Sequence, residues 1–318
     1  MAQPTNVFSA YQAKGIREDL SNIISRIDPD EVPFTSNIGK TKAKQQYHEW
    51  QTQSLAAASD SNAAVDGDDA TAQAAVPTVR LGNRTQISTK TAAVTGRLEA
   101  VDKAGRDSEM DYQVLLKGLE LRRDVEKQMM SNKPSIVGND TTPSQSAGFE
   151  AFLTTNVNRG VGGASGGFSN GNVTAATDGT ARAFAEAQIK DVQQKAYTAG
   201  GHPSLLFLGP SQKAAFSSFS GIAANRIDYG PDATQVRIVA GADVYAGDFG
   251  KLTAIASIFS RNRSALLVDP KLVKQAILRP LRETALGKTG DSTKKQLLIE
   301  YSLEVTNEAG HGIVADLT

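Results

Sequence analysis

The sequence has no cysteine among its 318 residues. This absence excludes disulfide bonds, thiolate nucleophiles and cysteine-ligated metals, and it fits a protein made in a reducing cytoplasm. A surplus of either charge is missing as well, because 34 lysines and arginines balance 34 aspartates and glutamates. With no basic excess to neutralise phosphates, sequence-specific DNA binding is disfavoured.

Long apolar runs are also absent. No stretch reaches the ~18 apolar residues that a membrane-spanning helix needs, and residues 1–11 show no signal-peptide pattern. The hydrophobic share of 40% and the charged share of 21% are ordinary for a globular chain. We therefore expect a soluble protein with one large or two ordinary domains, in which the Asn-x-Ser/Thr triplets are chance matches and not glycan sites.

Histidine is scarce, and its positions do not suggest catalysis. His48, His202 and His311 are far apart, and none has a second ligand at the helical spacing of a metal site. The G-x-S-x-G pattern of a serine hydrolase is missing too. Structural histidines are favoured over ligands or bases, although a triad assembled across the sequence stays open.

Two glycine-containing segments fail as phosphate-binding motifs. Gly287-Lys288-Thr289 lacks the glycine five residues earlier, where Arg282 stands, and it lies between predicted strands. The tract from Gly160 to Gly167 follows no convincing strand and opens no helix. We interpret the first as a hairpin turn and the second as a flexible loop.

Acidic pairs and the single tryptophan leave alternatives open. Asp68 and Asp69 could bind a divalent cation, but in so polar a segment a solvated or partner-facing role is favoured. Trp50 stands in a polar arm beside His48 and Glu49. A core position is one interpretation, and an interface anchor is at least as well supported.

The first regular element that the pattern predicts is an amphipathic helix over residues 16–27. Its apolar residues recur on one helical face, and Asp28-Pro29 ends it. The chain is then polar and extended from Thr41 to Leu55. A tract of small and polar residues follows from Ala56 to Ala75, and a long strand that faces solvent or a neighbour on both sides is predicted from Val76 to Gly96. The two extended segments resemble the arms of a long hairpin.

A long helix is predicted from Asp107 to Asn132. One stripe holds Tyr112, Leu115, Leu116 and Leu119, and a second continues through Leu121, Val125 and Met129. Loops and short strands are expected from Pro134 to Gly179. Further predicted elements are a helix at 181–199, a strand at 205–208, a short helix at 210–219, and strands at 236–239, 252–255, 266–268, 276–279 and 296–306. The last strand alternates apolar Leu297 to Val305 with polar Gln296 to Thr306, which predicts one buried face.

Three stretches resemble tailed-phage major capsid proteins with the Hong Kong 97 type fold, in the branch that includes the podovirus SU-ten. The first runs from Gly15-Ile16-Arg17-Glu18-Asp19-Leu20 to Pro33-Phe34, and the second joins His48-Glu49-Trp50 and Ser54-Leu55-Ala56 to Gly67-Asp68. The third covers most of Asp243 to Leu317, with blocks such as Asp248-Phe249-Gly250, Leu267-Val268-Asp269-Pro270 and Leu303-Glu304-Val305-Thr306-Asn307-Glu308.

This resemblance implies an α+β fold with five parts. They are an N-terminal arm with the amphipathic helix (1–43), an extended β-hairpin loop (44–98), a spine helix with the first part of a peripheral domain (99–180), an axial domain of mixed helix and strand (181–269), and C-terminal strands mainly of the peripheral domain (270–318).

The implied function is a structural protein without enzymatic activity and without a cofactor or metal. It would self-assemble as hexamers and pentamers into an icosahedral head around double-stranded DNA, in the cytoplasm of a bacterial host. Expected partners are further copies of the chain, the portal, a cement or decoration protein, and packaged DNA held weakly and without sequence preference. Residues expected at subunit contacts are Ile16, Leu20, Ile23, Ile24, Ile27, His48, Glu49, Trp50, Asp68, Arg80 and Arg84.

Two other classes of function stay open at this stage. A phage-associated hydrolase that uses paired carboxylates would need those groups around a pocket. A decoration or tail-binding module would form small oligomers instead of closed shells.

Overall fold

The computed structural model describes residues 31–67, 69, 72–219, 243–288 and 290–318. The predicted helix at 16–27, the predicted strand at 236–239 and Asp68 lie outside these residues. The described helices are α1 (Pro33–Asn37), α2 (Gly96–Ala100), α3 (Glu109–Met129), α4 (Phe149–Phe152), α5 (Glu186–Thr198) and α6 (Pro210–Ser217).

Fourteen strands occur in the described part of the chain: β1 (Gly39–Lys42), β2 (Tyr47–Thr52), β3 (Val79–Arg84), β4 (Gln86–Thr95), β5 (Val157–Asn158), β6 (Gly167–Ser169), β7 (Asn172–Thr174), β8 (Leu205–Leu208), β9 (Val244–Gly247), β10 (Gly250–Ala256), β11 (Ser264–Val268), β12 (Val273–Leu286), β13 (Ser292–Val305) and β14 (Gly312–Ala315).

The strands form two main sheets and two hairpins. One sheet has the order β1-β12-β13-β4, and a six-stranded sheet has the order β5-β14-β11-β8-β10-β9. Strands β2 and β3 pair as one antiparallel hairpin, and β6 and β7 as another. Helix α3 lies along the first sheet, while α5 and α6 pack on the second.

The largest core cluster joins the two sheets. Phe34 stacks against Phe149 of α4 at 5.5 Å and against Phe207 of β8 at 5.4 Å between ring centroids. Tyr301 and Leu303 of β13 belong to the same buried cluster. A second cluster lies between α5, α6 and the six-stranded sheet. The two sheets therefore share apolar packing through one continuous set of aromatic side chains.

Helix α3 begins at Glu109, where the Ser108 hydroxyl accepts a hydrogen bond from the Asp111 amide at 3.1 Å. The predicted stripe of Leu121, Val125 and Met129 is buried, as expected. Leu115, placed on the core face by periodicity, is 56% exposed, so that assignment was wrong. The first turns of α3 instead bury Met110 against Ala92 and Val94 of β4.

The segment from Val76 to Gly96 is two strands, which corrects the prediction of one long strand that faces solvent or a neighbour on both sides. The chain changes sheets at Thr85, whose amide donates to the Gln46 carbonyl at 2.8 Å and whose hydroxyl donates to Glu300 at 2.9 Å. These bonds fix a bend between β3 and β4. Asn83, Ala92 and Val94 are buried, so the strands are not exposed on both sides.

Strand β13 is covered on both faces toward its C-terminal end, whereas the alternation predicted one buried face. Leu303 and Val305 lie in the core, yet Ser302 and Glu304 are buried as well. The β2–β3 hairpin covers the polar face. An alternating pattern shows which face of a strand is polar, but a polar face can still be buried when the segment packed against it is also polar.

The middle of the chain follows the sequence more closely. Loops with short elements occupy 134–179, β8 has the predicted bounds, and α6 begins at Pro210. Helix α5 begins five residues later than predicted, because Arg182 runs extended and pairs with Leu317. The segment around Gly287-Lys288 is the turn between β12 and β13, as expected.

Candidate subunit-contact site

The β2–β3 hairpin brings together five of the residues that the sequence predicts at subunit contacts. His48, Glu49 and Trp50 lie on β2, and Arg80 and Arg84 lie on β3. The register pairs Tyr47 with Arg84, Glu49 with Gly82, and Trp50 with Leu81. Because side chains alternate along a strand, His48 and Trp50 lie on one face and Glu49 on the other.

The inner face of the hairpin bonds to β13 through an ionic group. His48 Nε2 lies 2.8 Å from a Glu304 oxygen, and Lys274 Nζ lies 3.3 Å from the other oxygen. The hydrogen bond with His48 and the nearby Lys274 ammonium hold the pKa of Glu304 below its usual range, against the opposing effect of burial. The ionised carboxylate therefore favours the docked hairpin.

Asn83 supplies a second, neutral attachment. Its side-chain amide donates to the Leu303 carbonyl at 2.8 Å and to the Ser146 hydroxyl at 3.1 Å, and its oxygen accepts from the Ala147 amide at 2.9 Å. The residue is fully buried. One amide thus connects the hairpin, β13 and the segment before α4, and each bond satisfies a group that has lost water.

Trp50 takes the core position that the sequence left open. The residue is only 9% exposed, and its ring lies 6.2 Å from Phe152 and 5.8 Å from His48. Its indole belongs to the main core cluster. Little of this side chain is left for contact with a neighbouring subunit.

The outer face of the hairpin carries charges that the subunit itself leaves exposed. Arg80 and Glu49 form an ion pair at 2.6 Å and line a shallow cavity of about 240 Å³ together with Gln51 and the edge of Trp50. Arg84 stacks over the Tyr47 ring at 4.9 Å. Burial, with a contribution from Glu49, raises the pKa of Tyr47, so its hydroxyl stays protonated at neutral pH.

Beyond the paired strands, the tip of the hairpin has few contacts. Gln53 closes its base by donating to the Val76 carbonyl at 2.7 Å. The described residues between these two are exposed, including Leu55 at 97% and Val65 at 77%. Within the subunit, the described residues of the tip are therefore not buried by any other part of the described chain.

Sequence reasoning missed the groups that dock the hairpin, namely Asn83, Glu300 and Glu304. The alternation along β13 assigned the two glutamates to solvent. A usable signal was present: polar residues on β13 could match the polar inner positions of the hairpin arms. The five predicted residues of the N-terminal helix and Asp68 lie outside the described residues.

Polar groups elsewhere have structural roles. Glu150 is buried, bonded to Arg261 at 2.8 Å and to Ser264 at 3.1 Å, and burial raises its pKa. His311 accepts from the Asp269 amide at 3.1 Å, and burial lowers its pKa to about 3, so it is a neutral core histidine, as expected. Within the described ranges, no three acidic or histidine side chains converge as metal ligands would. None of the helices described there combines the length and apolarity needed to cross a membrane.

Comparison with known proteins gives one consistent result. The family model described as SU10 major capsid protein matches residues 3–318. A curated relative, the major capsid protein of Escherichia phage Phieco32, is 27% identical, with 99% of this chain and 97% of the relative covered.

Solved structures resemble the fold at low sequence identity. A chain from Gordonia phage Cozz has a TM-score of 0.63 at 12% identity, with 99% of this chain and 97% of that chain covered. The cyanophage P-SCSP1u capsid structure gives 0.59 at 10% identity, with coverage of 99% and 97%. A structure of phage G major capsid and decoration proteins gives 0.51 at 10% identity over the full length of both chains.

These relatives are structural capsid proteins and not enzymes, which favours the capsid interpretation over a hydrolase or a decoration module. The mixed helix and sheet architecture with a long helix along one sheet is that of the Hong Kong 97 type fold. With a family model matched over almost its whole length, this chain belongs to the SU10 major capsid protein family.

Proposed function

We propose that this capsid protein forms hexamers and pentamers in which the β2–β3 hairpin of each subunit lies over a neighbour. The observation that carries the proposal is the exposed tip of that hairpin on a rigidly docked base. The base is held by the Glu304 and Asn83 contacts, so the position from which the tip leaves the subunit is fixed. A neighbouring subunit therefore has to order the tip but not the base of the hairpin.

The energetics of the tip also support a partner. Ordering the 20 residues from Ala56 to Ala75 costs roughly 20 to 40 kcal/mol at about 1–2 kcal/mol per residue. The side chains in this tract are small, and the described ones are exposed, so the subunit offers little to offset that cost. Contact with an adjacent subunit, through backbone hydrogen bonds and the exposed Leu55 and Val65, would supply the difference.

The charged outer face of the hairpin suits a lateral contact. Glu49 and Arg80 are both accessible, so each can exchange its partner within the subunit for one on a neighbour. Such exposed pairs contribute about 0–1 kcal/mol each. They would therefore determine how neighbouring subunits are aligned more than how tightly they bind. His48, Trp50 and Arg84 would act indirectly, by holding the hairpin in place.

The same proposal divides the subunit into an arm, a hairpin loop, a peripheral domain and an axial domain. It also includes a portal and a decoration protein as partners, and assembly in the host cytoplasm. One relative is a structure that contains decoration proteins as well as capsid proteins. With 34 basic and 34 acidic residues, contact with packaged DNA would be weak and sensitive to salt.

Replacing residues 56–75 with a short glycine-serine linker tests the proposal. We expect a folded subunit, with unchanged circular dichroism and unfolding midpoint, that no longer forms closed shells by electron microscopy. The matched control replaces Gly287 and Lys288 in the β12–β13 turn, a second exposed hairpin end. Normal shells from the tip-deleted chain would contradict the role of the hairpin.

A further inference from the structure

An apolar groove lies beside helix α3, on the side facing α1 and strands β12 and β13. It encloses about 610 Å³, and its apolar lining includes Leu121, Val125, Ile277, Leu281 and Ile299. Leu281 is 47% exposed. This volume falls within the range of roughly 300–1,000 Å³ that is typical of sites occupied by a ligand.

The start of helix α1 is fixed at the edge of this groove. Glu126 of α3 is fully buried and accepts hydrogen bonds from the Phe34 amide at 2.6 Å and the Thr35 amide at 2.8 Å. Val32 and Thr35 themselves line the groove. The residues that precede Val32 therefore start at the rim of this cavity.

We infer that the groove is the docking site for residues 16–27 of the same chain, folded as an amphipathic helix with its isoleucine face inward. Only four residues separate Ile27 from Val32. Five fully extended steps reach about 17 Å, so Ile27 cannot lie far from the rim. A segment tethered this closely has a high effective concentration at its own groove, which disfavours exchange with other chains.

The charges of the groove and of the tethered segment support residues 16–27 as the occupant. The groove holds two cations, Lys40 and Arg122, and neither has an ion pair within the part of the chain that the structure describes. The tethered segment from Arg17 to Glu31 carries five carboxylates against two guanidinium groups. The helix itself is neutral, with Glu18 and Asp19 balanced by Arg17 and Arg26, and the other three carboxylates lie in the linker that follows it. The two cations can attract this acidic linker, while the apolar face of the helix matches the apolar lining of the groove. The inference concerns one chain and does not depend on whether shells form.

The lack of cysteine makes a cross-linking test clean. A Gly118→Cys substitution places a thiol in the groove, where an added Cβ would meet only Leu297 Cδ1 at 3.9 Å. It is combined with Ile23→Cys on the apolar face, or with Ser25→Cys as the matched control. Ser25 lies about 160° from the centre of that face at 100° per residue. Full-length subunits and shells are treated with a short bis-maleimide.

We expect the Ile23 pair to form a cross-link within one chain about tenfold faster than the Ser25 pair, as the local concentration of the inward face requires. A second pair, Ile23→Cys with Leu281→Cys, uses an exposed groove position and guards against misfolding. Equal rates for Ile23 and Ser25, or no cross-link in either groove pair, would overturn the inference. Mixing chains that carry one cysteine each tests whether a second copy of the chain fills the groove. Cross-linked dimers that form as fast as the cross-link within one chain would assign the groove to that second copy and overturn the inference.

Discussion

At the residue scale, Glu126 shows how one buried carboxylate holds the start of a helix. Its two oxygens are the acceptors for two amides at the start of α1, one of which is buried. Burial raises its pKa against the lowering effect of these hydrogen bonds. A carboxylate suits this position because each of its two oxygens accepts one of the two amides.

Replacing this residue tests that role. We expect Glu126→Ala to lower the free energy of unfolding by about 2–4 kcal/mol, because two amides lose their acceptor. Urea unfolding of the isolated subunit, followed by circular dichroism, measures the change. Glu120→Ala is the control, since its surface ion pairs with Lys90 and Lys117 should contribute less than about 1 kcal/mol. Equal effects of the two substitutions would contradict the assignment.

The ionic group at the base of the hairpin predicts a pH dependence. The pKa of Glu304 is lower in the folded protein than its ordinary value of 4.5. A depressed acid pKa contributes stability that is present above the unfolded pKa and is lost as the pH falls through the folded value. Below about pH 4.5 we therefore expect the hairpin to loosen.

The single tryptophan reports this change, because Trp50 lies on the same strand as His48. We expect the acid transition in Trp50 fluorescence to be shallower in Glu304→Gln than in the unsubstituted protein. Glu186→Gln on α5 serves as the control, since its pKa is also lowered but by Lys190, on a helix away from the hairpin. Identical acid profiles for Glu304→Gln and the unsubstituted chain would rule out this role.

At the scale of elements, the N-terminal helix should decide assembly. An Ile23→Asp substitution places a carboxylate on the face that docks in the groove of its own subunit, and burying it there without a partner costs several kcal/mol. The undocked arm would leave that apolar groove exposed, which disturbs the ordered association of subunits. We expect this variant to give folded subunits and no shells, while Ser25→Asp on the opposite face assembles normally. Particle yield by sedimentation measures both. Shells at normal yield from Ile23→Asp would mean that the arm is not an assembly element.

How far the sequence predicts an element depends on what surrounds it. Helix α3 could be predicted from its apolar stripe, and strand β8 from its short apolar run, because both pack against apolar neighbours. The break at Thr85 could not, since one hydroxyl bond to Glu300 in a distant strand fixes it. The attachment of the β2–β3 hairpin had the same difficulty: Glu304 and Asn83 meet their partners only after the sheet has formed, and their burial depends on those tertiary contacts.

At the scale of the whole molecule, the described residues form two main sheets on a shared core, and the tip of the β2–β3 hairpin extends beyond that core. Both sheets share the cluster around Phe34 and Tyr301. The hairpin tip beyond Gln53 lies outside that cluster, and its described residues are exposed. Local stability should therefore fall steeply from the hairpin base to the tip.

Amide exchange tests that gradient. We expect residues 56–75 to exchange rapidly in isolated subunits and to be protected in assembled particles, because a neighbour then covers the tip. The β2 strand from Tyr47 to Thr52 is the internal control and should be protected in both. Equal, strong protection of the tip in an isolated subunit would contradict the need for a partner.

The alternation of side chains along β2 has a consequence for the fidelity of assembly. Trp50 enters the core and Glu49 faces outward because of one and the same register. A slip by one residue would expel the indole, bury the carboxylate and turn the wrong charges toward the neighbour. A subunit that has folded incorrectly at this strand would thus carry an incorrect outer face. A growing shell would in this way exclude subunits in which strand β2 has folded in the wrong register.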